Sequence, residues 1–254
     1  MGKTIAIVNQ KGGVGKTTTA VNLCAAIGGA GKKALLVDID PQGNSTSGMG
    51  IEKKTLELSA YDALINGAKA KDVIVESRFK NVDILPANMN LAGAELELVE
   101  IEKRENRLKT ALAPIKDEYS FIFLDCPPSL GLITLNALCA ADTIMVPIQC
   151  EYYALEGLSQ LMATVRQVKR LYSPHIEMEG VVLTMFDGRL NLTQQVVDEV
   201  KKFFPNKVFK TVVPRNVRLS EAPSFGQPIM YYDRGSKGSD AYMNLAKELI
   251  KQNR

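Results

Sequence analysis

The sequence is poor in the residues that build metal and disulfide sites. It has no tryptophan, one histidine and four cysteines among its 254 residues. No two cysteines form a C-x-x-C pair, and the histidine, His175, lies between Pro174 and Ile176, so the spacing of a structural zinc site is missing. We therefore exclude a zinc site and expect the cysteines to be reduced core residues of a cytoplasmic protein. They are Cys24, Cys126, Cys139 and Cys150.

Long hydrophobic runs are also missing. No apolar stretch approaches the ~18–20 residues that a membrane-spanning helix needs. The first residues, Met-Gly-Lys-Thr, lead directly into a strand-like run and do not form a signal peptide. We expect a cytoplasmic protein that makes no stable association with a membrane.

Charge is unevenly distributed along the chain. The net charge is +3, but residues 161–254 alone carry 15 Lys and Arg against 9 Asp and Glu, whereas residues 1–160 carry 16 against 19. A basic C-terminal part is typical of proteins that meet a polyanion. Solvated basic helix faces are also common, so this asymmetry is only a hint of nucleic acid binding.

The pattern of apolar residues predicts alternating strands and helices. With 46% hydrophobic and 23% charged residues, the chain can bury a full core. Continuous apolar runs separated by helices are typical of a mostly parallel sheet that is covered on both faces. We therefore predict one doubly wound α/β domain over residues 1–254. The predicted strands are 5–8, 34–37, 82–85, 121–124, 143–148, 181–185 and 208–213, and the predicted helices are near 16–28, 90–112, 133–140, 155–171, 192–203 and 239–251.

Polar residues follow four of the predicted strands. In doubly wound sheets, ligands bind beyond the carboxyl ends of the strands. We therefore expect the functional residues within 11–18, 38–43, 125–129 and 214–216.

The first of these segments predicts a phosphate-binding loop. Residues 10–18 read Gln-Lys-Gly-Gly-Val-Gly-Lys-Thr-Thr and join a strand to a helix. Glycines let backbone N–H groups converge on phosphate oxygens, and the helix N-terminus adds positive potential. Lys16 is expected to reach the terminal phosphates and Thr17 to bind Mg²⁺. The loop departs from the usual G-x-x-x-x-G-K-[ST] pattern, because Gln10 stands in place of glycine and Lys11 adds a second lysine.

Two aspartates are predicted to complete the nucleotide site. Asp125 ends a hydrophobic strand and precedes Cys-Pro-Pro-Ser, which fits a residue that holds Mg²⁺ through water. Asp40 lies in a loop rich in Pro and Gly, so it is free to position the attacking water. An aspartate at a strand end is often only a cap, but the phosphate loop in the same chain favours these functional roles.

Five motifs in order resemble one family over essentially the whole chain. Residues 11–18, 38–44 and 125–129 are similar to the ATPases of the ParA/MinD class, which have a deviant Walker A P-loop. Residues 149–157 and 214–223 resemble the ParA/Soj chromosome or plasmid partitioning branch in particular. The resemblance implies a P-loop NTPase fold and Mg²⁺-dependent hydrolysis of ATP.

The same resemblance implies a role for each matched residue. Lys11 would be the signature lysine that reaches the partner subunit's ATP across a dimer, and Glu151 would contact the partner's nucleotide. Two nucleotides held face to face concentrate negative charge, which a lysine from each subunit would neutralise. Catalysis would involve Lys11, Lys16 and Asp40, and the metal would be held by Thr17 and Asp125. The nucleotide contacts would be Lys11, Gly12, Gly13, Val14, Gly15, Lys16, Thr17, Thr18 and Glu151, with Pro214 and Asn216 at the adenine.

The resemblance also implies partners. The ATP-bound homodimer would bind double-stranded DNA without sequence preference through Arg189 and Arg218, and it would associate with the nucleoid. A ParB-type centromere-binding protein would stimulate hydrolysis and release the dimer. The alternative is a MinD-like or related ATPase that positions a membrane or protein cargo. MinD-like proteins carry a basic amphipathic C-terminal helix. Here, core packing is the simpler interpretation of the apolar stripe on the last helix. The stripe consists of Ala241, Leu245, Leu249 and Ile250.

Overall fold

The computed structural model describes residues 2–151 and 156–253. Within these residues, the strands form one seven-stranded sheet in the order β3-β4-β2-β5-β1-β6-β7. All neighbouring strands are parallel except β3 and β4. The sequence-based prediction of a mostly parallel α/β sheet is therefore confirmed. The strands are β1 Lys3–Ile7, β2 Ala34–Asp38, β3 Val75–Glu76, β4 Val82–Leu85, β5 Phe121–Asp125, β6 Thr143–Gln149 and β7 Glu177–Thr184.

Helices cover both faces of this sheet. The α-helices are α1 Lys16–Gly29, α2 Asn44–Gly48, α3 Ala70–Val73, α4 Ala94–Glu97, α5 Arg107–Leu112, α6 Leu132–Ala140, α7 Glu156–Leu171, α8 Asn191–Phe203, α9 Val217–Glu221, α10 Ile229–Tyr232 and α11 Lys237–Gln252. Short 3-10 helices span Lys53–Thr55, Met89–Ala92, Leu98–Glu100, Arg104–Asn106, Ala113–Glu118 and Ala222–Phe225, and Asp62–Asn66 is a π-helix.

Successive residues of the central strands pack into different layers. In β2, Leu35 and Val37 belong to the apolar cluster on one face of the sheet, and Ala34 and Leu36 to the cluster on the other. Side chains alternate across a strand, so a strand buried on both faces needs an unbroken apolar run. All five residues of β2 are buried, which is why an unbroken apolar run predicted this strand correctly.

The last helix packs its apolar stripe into the core. Ala241, Leu245 and Leu249 of α11 are buried in the layer that also holds α1. The interpretation of this stripe as core packing is confirmed. Among the residues that the structure describes, no helix combines the length and the apolar character that crossing a membrane requires.

The prediction of one long helix at 90–112 is wrong. The segment consists of short 3-10 and α-helical pieces, because Ile101 is extended and Lys103 has a left-handed φ of 52°. Neither conformation continues a helix. Leu91, Ala94, Leu98 and Leu108 are nevertheless buried. The apolar spacing therefore indicated correctly which residues pack into the core, but not that they lie on one continuous helix.

The prediction of a strand at 208–213 is also wrong. Val208 makes an isolated bridge to Val181 of β7, and Pro214 makes another to Phe186. Between them, the backbone N–H groups of Lys210 and Thr211 donate to the Glu248 carboxylate of α11. Since this side chain takes the N–H groups that a ladder would use, no continuous strand forms.

Candidate nucleotide site

The phosphate-binding loop leaves β1 and enters α1 through two left-handed glycines. Gly13 has a φ of 74° and Gly15, which precedes α1, a φ of 90°. This conformation is costly for residues with a Cβ. The first turn of α1 contains no acidic residue. No acidic residue of α1 itself therefore opposes the positive potential of the helix N-terminus, which suits an anion.

Two residues that the sequence analysis did not assign hold this loop in place. The Asn9 side chain donates to the Pro147 carbonyl at 2.8 Å and accepts from the Lys11 N–H at 3.0 Å. The Thr184 hydroxyl donates to the Val14 carbonyl at 2.8 Å. The loop is therefore tied to the ends of β6 and β7. No sequence motif predicts the contacts Asn9–Pro147 and Thr184–Val14, because both join residues far apart in the sequence.

The side chain of Lys16 is folded back over the loop. Its Nζ donates to the Lys11 carbonyl oxygen at 3.0 Å, and the residue is 7% exposed. Burial lowers the pKa of Lys16, while the nearby charges of Asp125 and Asp40 raise it. Lys16 thus lies near Asp40, the predicted catalytic carboxylate, and near Asp125, the predicted metal residue, and its ammonium group donates to the Lys11 carbonyl.

Lys11 forms an ion pair within its own chain. Its Nζ lies 3.1 Å from Glu151 Oε2, and the Gln149 amide donates to the other oxygen of Glu151. Both charged side chains are partly exposed. The structure thus brings together two residues that the sequence analysis placed at the partner's nucleotide. The rest of that motif, residues 152–155, lies outside the described residues.

Two buried carboxylates lie side by side at the carboxyl ends of β2 and β5. Asp38 and Asp125 are register partners, and both are fully buried. Asp125 Oδ2 accepts from the Ser45 hydroxyl at 2.5 Å, while Oδ1 has no hydrogen bond partner among the described residues. Burial, and then the charge of Asp38, raise the pKa of Asp125. A buried oxygen without a partner is costly, so this position suits a cation or its bound water.

The neighbouring Asp38 is better satisfied. Its Oδ2 accepts from the N–H and hydroxyl of Thr46 at 2.8 and 2.7 Å. Burial nonetheless raises the pKa of Asp38. Ser45 and Thr46 lie on α2, directly after the loop that carries Asp40, so these bonds couple that loop to the strand ends. The sequence analysis assigned no role to Asp38, Ser45 or Thr46, although Asp38 was visible as a strand-end aspartate.

Asp40 lies in the turn between β2 and α2. It is 8% exposed, and its Oδ1 accepts from the Gln42 N–H at 2.9 Å. Gly43 in the same turn has a φ of 61°, and a Cβ there would lie 2.9 Å from the Ala87 carbonyl oxygen. The turn is therefore fixed by glycine, with one oxygen of Asp40 left for other partners.

Thr17 and Thr18 lie in the first turn of α1 and line a cavity of about 410 Å³. Val21 and Asn22 of α1 also line it, as do residues of α2 and of the 222–225 helix. The Thr17 hydroxyl also lies near enough to Asp125 to lower the pKa of that carboxyl, against the stronger effect of burial. The two predicted metal-binding residues are thus neighbours in the fold.

The two residues predicted at the adenine lie on a different segment. Pro214 bridges Phe186 beyond the end of β7. Asn216 caps α9, where its side-chain oxygen accepts from the Leu219 N–H at 3.3 Å. Its side-chain NH₂ group stays available for a base edge.

Both arginines predicted to bind DNA form ion pairs with nearby carboxylates. Arg189 makes two bonds to Asp187, at 2.8 and 2.6 Å, and its side chain is 88% exposed. Arg218 pairs with Glu221 at 2.8 Å and lies 3.5 Å from Asp233. In the sequence, Asp187 lies two residues before Arg189 and Glu221 lies three residues after Arg218, but this spacing alone did not predict the ion pairs. A phosphate would have to replace these carboxylates.

Comparison with known proteins identifies relatives over the full length of the chain. A family profile described as an AAA domain matches residues 2–178. The sporulation initiation inhibitor protein Soj of Bacillus subtilis is 59% identical over 98% of both chains. The chromosome partitioning protein ParA of Myxococcus xanthus is 52% identical over 99% of this chain and 89% of the relative.

A solved structure also matches this fold over the full length of the chain. Cobyrinic acid a,c-diamide synthase from Mycobacterium smegmatis, with a bound ATP analog and magnesium, superposes with a TM-score of 0.90. It is 34% identical, and the match covers 100% of this chain and 96% of that chain.

Proposed function

We propose that this chain, which belongs to the ParA/Soj family of chromosome partitioning ATPases, is a DNA-segregating switch driven by ATP. In this proposal, residues 1–254 form a single P-loop ATPase domain, located in the cytoplasm and on the nucleoid. ATP binding pairs two subunits, and hydrolysis separates them. The observation that carries the proposal is the glycine loop, with Lys16 near the buried carboxylates of Asp40 and Asp125 at the carboxyl ends of the strands.

The loop residues suit the phosphates of ATP. Lys16 would exchange its bond to the Lys11 carbonyl for the β- and γ-phosphates, where its charge is better compensated. Gly12 to Gly15 and Thr18 would supply backbone N–H groups, as loops before helix N-termini do. Pro214 and Asn216 would contact the adenine.

The donor set at the strand ends suits Mg²⁺. Thr17 offers a hydroxyl and Asp125 a buried carboxylate oxygen without a partner, and Mg²⁺ prefers such oxygen ligands while keeping several waters. When bound, the ion neutralises charge that develops on the phosphates. Asp40, with one oxygen uncommitted, would orient the attacking water.

Lys11 would act across the dimer. Its ion pair with Glu151 is partly exposed, and such pairs are weak, at about 0–1 kcal/mol. Lys11 can therefore leave Glu151 for a partner's phosphates, where charge-assisted bonds are stronger. Glu151, once released, would face the partner subunit's nucleotide.

Arg189 and Arg218 would bind DNA phosphates from both subunits of the dimer. Contacts of arginine to phosphate give affinity that is independent of sequence and falls with salt. Both arginines lie in the basic C-terminal part of the chain, and pairing two subunits doubles the patch. A ParB-type protein would then stimulate hydrolysis and release the dimer from DNA.

The test is ATP-dependent binding of a random-sequence duplex across a salt series, with wild type and Asp40→Ala. We expect wild type to bind with ATP but not ADP, and Asp40→Ala to stay bound as an ATP dimer because it cannot position water. An Asp40→Ala protein that sediments as a monomer with ATP would refute the water-positioning role. ATP-independent DNA binding by wild type would refute the switch.

A further inference from the structure

An exposed apolar stripe lies on the chain after β4. The stripe consists of Met89, Ala92, Leu96 and Val99, spaced i, i+3, i+7 and i+10 along consecutive helical turns. Such spacing puts them on one face. Leu96 is 78% exposed, Met89 62% and Val99 50%.

The opposite face of the same turns already fills the core. Leu91, Ala94 and Leu98 are fully buried. The segment therefore has two apolar faces, and only one of them packs against the part of the chain that the structure describes. Single exposed apolar residues are ordinary, whereas a contiguous exposed stripe marks an interaction surface.

The charge beside the stripe selects the kind of partner. Residues 89–102 contain four glutamates and no lysine or arginine, in a chain whose net charge is positive. Glu100 and Glu102 are exposed. Glu97 accepts from the Tyr61 hydroxyl, and Arg104 contacts the Val99 carbonyl only at the end of the stripe. This surface repels DNA and anionic membranes, and self-pairing would oppose glutamates to glutamates.

The stripe is also connected to the nucleotide site. Glu95, on the same α-helical turn as Leu96, accepts from the N–H groups of Leu132 and Ile133 at 2.8 and 3.2 Å. These residues begin α6, and the short chain 126–131 before them follows directly from Asp125. At Gly131, an added Cβ would lie 2.3 Å from the Glu95 carboxylate, so the two segments are in close contact. A partner that moves α4 therefore moves the chain next to Asp125.

We infer that the exposed stripe docks a basic amphipathic helix of a protein partner, laid along Met89 to Val99 with its cations against Glu100 and Glu102. This inference rests on the proposed function, in which that partner is the ParB-type protein. Docking on the stripe then acts on hydrolysis through Glu95 and the chain 126–131.

The experiment compares Leu96→Lys with Leu171→Lys, a matched control. Leu171 is 53% exposed and ends α7, which joins the parallel strands β6 and β7. It therefore lies toward the amino ends of the strands, away from the carboxyl ends that carry Asp38 and Asp125. ATP hydrolysis is titrated with the full-length ParB-type protein of the same organism and its centromere DNA. We expect Leu96→Lys to raise the half-saturating concentration at least about tenfold, as loss of a central apolar anchor does. Leu171→Lys should change it less than about twofold.

Unstimulated hydrolysis and ATP-dependent dimerisation should be the same in both variants. Normal stimulation of Leu96→Lys would overturn the docking surface. Loss of dimerisation in Leu96→Lys would also overturn it, by assigning the stripe to a second copy of this chain. If wild type itself is not stimulated, the ParB part of the proposed function fails, and this inference fails with it.

Discussion

Arg189 and Arg218 each form an ion pair with a carboxylate of their own chain, which would limit how strongly they bind DNA in the proposed function. The bonds of Arg189 lower the pKa of Asp187 to about 2, so this carboxylate stays ionised and able to pair with Arg189 throughout the neutral range. In the proposed complex, DNA phosphates would compete with Asp187 for the guanidinium group of Arg189. The affinity for DNA would then depend on the difference in free energy between two ion pairs, not on the strength of one.

We predict that Asp187→Asn tightens ATP-dependent DNA binding. Exposed ion pairs contribute about 0–1 kcal/mol, so releasing Arg189 should increase affinity by up to about fivefold. Fluorescence anisotropy with a random-sequence duplex at several salt concentrations measures this. Asp198→Asn, which adds the same charge on α8 without touching Arg189, is the control. Equal affinities in the two variants would show that Asp187 does not restrain Arg189.

Site residues were predictable where a motif carries them. The glycine loop, Lys16 and the strand-end aspartates follow from local patterns, and the structure gathers Lys16, Asp40 and Asp125 at one place. Asn9, Ser45 and Thr184 were missed because each is defined by a contact with a residue 80 to 170 positions away. Thr46 was missed although it contacts Asp38, only eight positions away, because no role was assigned to Asp38. The roles assigned to the predicted residues in nucleotide and DNA binding stay predictions.

At the scale of the elements, α9 and α11 pack closely because Gly238 of α11 has no side chain. A Cβ on Gly238 would lie 2.7 Å from Leu219 Cγ, and Leu219 is 8% exposed. Arg218 is the residue before Leu219. Anything that pushes α9 from α11 therefore displaces one of the proposed DNA contacts.

Gly238→Ala should accordingly destabilise the protein and weaken DNA binding. Overpacking of this kind costs about 1–3 kcal/mol. Urea unfolding measures the loss of stability, and anisotropy measures the loss of affinity. In Gly235→Ala the new Cβ meets nothing closer than Asp233 Oδ1 at 3.9 Å, so that variant should behave as wild type. A Gly238→Ala protein that unfolds at the wild-type urea concentration would mean that Leu219 moves aside freely.

Element prediction succeeded where burial is symmetrical and failed where contacts intervene. The central strands are apolar on both faces, and a short unbroken apolar run bounded by turns is typical of such a buried strand. The 90–112 segment has helical spacing, yet the extended Ile101 and left-handed Lys103 interrupt it. At 208–213 the apolar run is real, but Glu248 takes the N–H groups that a strand would have paired.

For the molecule as a whole, the paired carboxylates make stability depend on ligands. Burial raises the pKa of Asp38 and of Asp125 above the range of the unfolded chain. The native chain therefore keeps protons to a higher pH than the unfolded chain. It follows that the ligand-free protein loses stability as the pH rises from about 4 through these raised pKa values.

Asp125→Asn should raise the melting temperature of the ligand-free protein at pH 8. Removing one buried charge relieves desolvation and repulsion, and about 1 kcal/mol corresponds to roughly 2–4 °C for a chain of this size. The same variant should lose most of the further rise that Mg²⁺ and ATP give wild type. Scanning calorimetry with and without EDTA checks both effects.

The control is Asp117→Asn, which removes an exposed carboxylate. It should leave both melting temperatures near those of wild type. An Asp125→Asn protein that melts below wild type without ligand would mean that Ser45 and its neighbours compensate the Asp125 charge fully.

The unpartnered Asp125 oxygen also has a consequence for how long the protein survives in a cell. Proteases degrade chains in proportion to the fraction that is open when opening and closing are fast. A subunit that lacks nucleotide and metal carries two buried carboxylates whose charges no metal ion compensates, so it opens more often than a loaded one. Degradation would then fall mainly on idle subunits, and the cellular lifetime of the protein would follow the supply of ATP.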